Sequence, residues 1–224
     1  MQVDIQAGPA FAMGTIRLAA GESVKVEAGA MAAMSSGVEI QTASTGGLLG
    51  GLKRSMLGGE SFFINTFTAT TGGEISVAPK LPGDITHLPL SGGAMLVQSG
   101  SWIASEPSVE VDTKWGGAKT FFSGEGLFML HCSGAGDMLV SSYGAIVVRQ
   151  LQPGEVFTVD TGHIVAFDEA VTYAVRKVGN WKSTILGGEG LVTDFTGPGR
   201  LLLQTRSAQD LIDWLTVSLP FSRD

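Results

Sequence analysis

Leu57-Gly58-Gly59-Glu60-Ser61-Phe62-Phe63 is echoed by Ser123-Gly124-Glu125-Gly126-Leu127-Phe128 and again by Leu186-Gly187-Gly188-Glu189-Gly190-Leu191. The Gly-Glu steps begin at Gly59, Gly124 and Gly188, 65 and 64 residues apart. A near-constant period of this length implies one structural unit written three times.

Upstream of each step the copies share a frame. Leu18, Leu90 and Leu151 are each followed three residues on by glycine (Gly21, Gly93, Gly154). A strand-like stretch leads to a second glycine at Gly29, Gly100 or Gly162, then to a small or apolar stretch. The alternation at Val24, Val26 and Ala28 predicts a half-buried strand. The second glycines are expected to take positive φ in a hairpin or bulge. Downstream, apolar stretches run into Gly72-Gly73, Gly134-Ala135-Gly136 and Gly197-Pro198-Gly199, which read as hairpin turns.

Many short strands at this spacing predict an all-β protein of three repeated β-sandwich-like units with pseudo-three-fold symmetry. The expected boundaries are 15–80, 88–144 and 149–206, within a single domain spanning residues 1–224. A short C-terminal helix is expected over 207–218. Ser207 is its N-cap with Asp210 three residues on, and Pro220 stops it. Its stripe of Leu211, Ile212, Trp214 and Leu215 is expected to pack on the β body.

Composition narrows the function classes. Hydrophobic residues make up 44% of the chain, only 16% are charged, and the mean hydropathy is +0.26. A typical soluble domain has about 25% charged residues. Either the core is unusually dry, or some apolar surface is buried against a second subunit or a membrane. The net charge of −7 and the thin spread of 14 Lys and Arg argue against a nucleic-acid partner. With the single cysteine Cys132 there is no intramolecular disulfide framework. The N-terminal residues show no signal-peptide pattern, and no apolar run is long enough for a spanning helix. A cytoplasmic protein is expected.

Catalytic signatures are weak. Gly51-Leu52-Lys53-Arg54-Ser55 and Gly117-Ala118-Lys119-Thr120 interpose a residue between glycine and lysine, so neither is a phosphate loop. Gly-x-Ser-x-Gly is absent. His131 and Cys132 are adjacent in a strand and point to opposite faces, which favours a buried structural cysteine. His87, His131 and His163 lack metal-ligand spacing. Glu60, Glu125 and Glu189 form one equivalent triplet that would meet around a cation only on a shared axis. Capping of their own glycine turns explains them more simply. Trp115 and Trp181, each before a Lys-Ser/Thr step, read as equivalent packing residues. No cofactor and no catalytic residue is implied.

The stretch from Gly46 to Gly59 combines Leu48, Leu49, Leu52, Lys53, Arg54, Met56 and Leu57 with six glycines. An ordinary long surface loop is the simpler reading, and an interaction loop for a subunit interface or a lipid headgroup layer is the sharper one.

The frame from Gly21 to Met34, the stretch Lys53–Phe63, Ala78–Asp84, Gly93–Ala104 and Leu186–Gly199 together resemble the AIM24 family, also called DUF124, over about residues 8 to 207. The resemblance implies units similar to the tryptophan RNA-binding attenuator protein, a fold of the double-stranded β-helix class, here in triplicate. It implies no catalytic motif. Mitochondrial relatives are implicated in organelle biogenesis and inner-membrane organisation, but no presequence is visible here. The expectation is a non-enzymatic assembly or scaffold protein, homo-oligomeric or associated with a peripheral membrane or membrane-protein partner. The alternative is a small-ligand binding module with a pocket between β units.

Overall fold

The computed structural model of the protein describes residues 1–41, 55–57, 60–62, 64–112, 128–177 and 191–219. Among these the chain is all-β with one short C-terminal helix. The strands of the first stretch are β1 (Gln2–Gln6), β2 (Met13–Leu18), β3 (Ser23–Glu27), β4 (Met31–Met34), β5 (Val38–Gln41), β6 (Ser55–Leu57), β7 (Glu60–Phe62), β8 (Ile64–Ala69) and β9 (Gly73–Val77). The second holds β10 (Ile85–Gln98), β11 (Trp102–Ser105), β12 (Val109–Asp112) and β13 (Met129–Ser141). The third holds β14 (Ile146–Leu151), β15 (Val156–Asp160), β16 (Ile164–Asp168), β17 (Thr172–Lys177), β18 (Leu191–Thr196) and β19 (Gly199–Gln204), followed by α1 (Ala208–Ser218).

The same ladder scheme recurs in each stretch. In the first, β2 and β4 flank β9, while β3 and β5 flank β8. In the third, β14 and β16 flank β19, while β15 and β17 flank β18. In the second, β10 and β13 are long strands that serve both ladders. Their outer halves pair Ile85–Ser91 with Ala135–Ser141 and take β11, and their inner halves pair Ala94–Gln98 with Met129–Ser133 and take β12. One register shift recurs as well: it falls between Met31 and Ala33, between Trp102 and Ala104, and between Ile164 and Ala166.

The strands on either side of the first and third glycine pairs, β8 and β9 and then β18 and β19, belong to different ladders, and Gly134 to Gly136 lie inside the single strand β13. That corrects the hairpin reading of the glycine pairs. Gly72 (φ +90°), Gly134 (φ +116°) and Gly199 (φ +148°) stand where the chain passes from one ladder to the other, a corner that needs backbone conformations other residues resist. The second-glycine expectation holds for Gly29 at φ +89° and fails for Gly100 and Gly162. A Cβ on Gly162 would lie 2.8 Å from the Ser207 hydroxyl, so close approach explains that glycine.

Two more differences emerge. Strand β1 lies outside the expected first unit and pairs with β2 through Val3↔Ile16 and Ile5↔Gly14. Helix α1 has the expected cap, with Ser207 Oγ accepting from Asp210 N at 3.3 Å. Yet it buries none of its residues: Leu211 and Leu215 are half-buried, whereas Ile212, Trp214 and Val217 face solvent. Its apolar residues wrap most of the way round, so one side of contact cannot cover them.

The core lies between the ladders in three clusters. In the third, the ring of Phe167 meets Phe195 at 5.0 Å and Tyr173 at 5.3 Å, both edge-on. Such pairs add to the area term. Replacing the fully buried Phe167 by alanine is expected to lower unfolding free energy by about 3–5 kcal/mol. Urea denaturation with an unchanged slope checks it.

Candidate assembly interface

A strand at a sheet edge presents unpaired N–H and C=O groups and is a template for another strand. This chain covers such edges by joining consecutive stretches. Ala104 and Ser105 of β11 pair with Val26 and Lys25 of β3. Ala166, Phe167 and Asp168 of β16 pair with Val97, Leu96 and Met95 of β10. Both junctions are antiparallel. With β1 set aside and the two halves of β10 counted as two strands, the third strand of one stretch lies in each case against the second strand of the stretch before it.

The two junctions share a register. Aligned on the common register shift, Ala104 and Ala166 are equivalent, as are Ser105 and Phe167. Aligned on the β3–β8 and β10–β13 ladders, Val26 corresponds to Val97 and Lys25 to Leu96. Equivalent residues therefore face equivalent residues at both junctions.

Side chains lock these junctions. Lys25 Nζ donates to the carbonyls of Pro107 (3.0 Å) and Val109 (2.9 Å). At the other junction His131 Nε2 lies 3.0 Å from Glu169, whose backbone N–H donates to Ala94 O at 3.2 Å. Behind it, Arg200 grips Asp168 through its guanidinium (2.9 Å) and its backbone N–H (2.8 Å). Asp168 holds the guanidinium more firmly protonated than an ordinary arginine, against the opposing effect of burial.

The remaining second and third strands are β15 and β4. Among the described residues each is the edge of its own sheet: one sheet is ordered β1-β2-β9-β4, the other β15-β18-β17. The difference in burial is large. All of β11 is buried, and so is β16 up to Asp168. In β4, Ala32, Ala33 and Met34 are exposed, Met34 at 44%. On β15, Thr158 is exposed and Val156 is 61% exposed. Neither edge carries the lysine or proline that usually protects one.

The other residues singled out from the sequence fall as follows. Glu60 is on β7, while Glu125 and Glu189 lie outside the described residues, as do Trp115 and Trp181. Met56 and Leu57 are on β6, whose residues pair with β7 through Met56↔Ser61 and Leu57↔Glu60. Leu48, Leu49, Leu52, Lys53 and Arg54 lie outside the described residues. The histidines are spread apart: His87 Nε2 is 2.7 Å from Asp137, and His163 Nδ1 is 2.7 Å from the Gln204 carbonyl. No group of three potential metal ligands occurs among the described residues. No helix among them is long and apolar enough to cross a membrane. The paired edges went unread in the sequence, although Met31-Ala32-Ala33-Met34 has no charge that would mark a solvated edge.

Cys132 is buried, and desolvation pushes its thiol up to about 12. Thiolate, the reactive form, is then scarce. At pH 8 a thiol–disulfide reagent is expected to leave the native protein unlabelled and to label one thiol per chain after denaturation. Stoichiometric labelling of the native protein would contradict the placement of Cys132.

Comparison with known proteins places this architecture. The family model described as mitochondrial biogenesis AIM24 matches residues 3–206. A relative from Streptococcus pyogenes serotype M6, the uncharacterized protein M6_Spy0233, is 29% identical over 99% of this chain and 92% of its own length. The crystal structure of protein SPYM3_0169 from Streptococcus pyogenes superposes with a TM-score of 0.78 at 25% identity, covering 97% of this chain and 99% of that one. With the family model spanning nearly all of its strands, the chain belongs to the AIM24 family.

Proposed function

We propose that this protein is a non-enzymatic assembly or scaffold protein that works as a homo-oligomer. The observation that carries the reading is the pair of exposed strand edges, β4 and β15, whose counterparts are covered on both sides elsewhere in the chain. Burying such an edge satisfies its backbone groups and removes apolar side chains from water together. The exposed Val147 and Val148 on β14 and Ile212, Trp214 and Val217 on α1 add apolar surface beyond what a lone monomer needs.

Part of the same reading is that the chain holds three units of one design joined in a row, related to the attenuator-protein fold. The recurrent ladder scheme and the recurrent register shift support it. A cytoplasmic location belongs to the proposal too. An association with a membrane surface is the competing form of it, in which the exposed side chains of α1 would meet lipid.

Light scattering on the full chain, with and without anionic vesicles, separates the two. A mass that is a multiple of 23.2 kDa and indifferent to vesicles is expected. A particle of 23.2 kDa at every concentration would contradict the homo-oligomer, and its transfer to vesicles would favour the membrane form.

A further inference from the structure

We propose that β15 of one copy adds to β4 of a second copy as an antiparallel strand, with Val159 opposite Ala33 and Thr158 opposite Met34. The proposal rests on the homo-oligomeric reading above and specifies the surface and its register.

The register follows from the two junctions inside the chain. On the ladder with β18, Val159 occupies the place of Val26 and Val97, and Thr158 that of Lys25 and Leu96. On the ladder with β9, Ala33 occupies the place of Ala104 and Ala166, and Met34 that of Ser105 and Phe167. Pairing β15 with β4 by the rule of Val26↔Ala104 and Val97↔Ala166 gives Val159↔Ala33.

The register shift in β4 is no obstacle. The same shift is present in β11 and β16, and both accept a strand on their far side. Side chains also match. The place held by His131, which reaches Glu169 across the second junction, is taken by Asp194 in β18. The place of Glu169 is taken by the exposed Ser36, one residue beyond the Ser35 that matches Asp168. Arg176 Nε (2.6 Å) and then Thr158 Oγ1 (2.6 Å) donate to Asp194 and keep its carboxyl below the usual range. An ionised carboxylate there is an acceptor for the Ser36 hydroxyl of the incoming copy.

The partner is a second copy because the two edges belong to opposite ends of one repeated pattern, and each supplies what the other lacks. Such a contact joins different surfaces of each copy. Repeated, it builds an open filament or a closed ring, the smallest ring being two copies that each lay β15 on the other's β4.

Cysteine cross-linking of the full-length protein tests the register. Facing residues of an antiparallel ladder lie within disulfide reach. Met34 and Thr158 are exposed, so M34C and T158C leave the core intact, and Cys132 is buried away from them. Mixed and mildly oxidised, the two single variants are expected to give a covalent dimer that neither gives alone. The double variant is expected to give a ladder of covalent oligomers, or one closed covalent ring, on a non-reducing gel. An intramolecular disulfide in a monomeric double variant would overturn the proposal, showing that the edges close within one chain. Absence of cross-links would overturn it as well. Light scattering on those same samples then tells the failures apart: an oligomer without cross-links keeps the assembly reading and removes this register, while a monomer removes both.

Discussion

The backbone of a β-strand has two hydrogen-bonding edges, and the structure depends on how those edges are covered. Strands β8, β9, β13, β18 and β19 sit at ladder centres and are covered on both sides. The second and third strands have only one partner within their own stretch. The chain covers the free side by laying the second strand of one stretch against the third strand of the next, and it does so twice. With three stretches in a row, one such second strand and one such third strand are left over. The open edges are thus a consequence of the linear repetition and need no special insertion.

Residue choice follows edge coverage. Trp102, Ile103, Ala104 and Ser105 are buried in β11, and Ile164 to Phe167 are buried in β16, because a neighbouring stretch closes over them. In β4 the same places hold Met31, Ala32, Ala33 and Met34, small or flexible, yet none is charged although three are exposed. Methionine packs against varied surfaces with little penalty, which suits an edge that meets its partner only on assembly. The low charged fraction of 16% is spent elsewhere: Lys25, Glu169, Asp168 and Arg200 all brace the internal junctions.

Much of this was legible in the sequence. The alternation at Val24 and Val26 and the Ser207–Asp210 cap correspond to observed features, strand β3 and the start of α1. Glycine positions told where the chain turns and misled about how. A hairpin and a corner between two ladders both need a flexible residue, and single-sequence patterns do not say whether the flanking strands pair with each other. The alternation of Val3 and Ile5 in β1 was visible, but it falls outside the repeat and had no counterpart to confirm it. Likewise the exposure of β4 cannot be read from Met-Ala-Ala-Met, because it depends on whether another strand lies against it in space. The glutamate triplet and the leucine-rich loop drew notice as motifs. The edges consist of ordinary backbone and give no such signal.

Amide hydrogen exchange as a function of protein concentration tests the central claim most directly. Exchange reports the opening of backbone hydrogen bonds segment by segment. Peptides covering β11 and β16 are predicted to be protected at every concentration, because their partners are in the same chain. Peptides covering β4 and β15 are predicted to exchange their outward-facing amides freely at high dilution, while those bonded to β9 and β18 stay protected, and to gain protection together as the concentration rises. Equal and concentration-independent protection of all four strands would contradict the account, since it would mean that no edge of this pattern is left open.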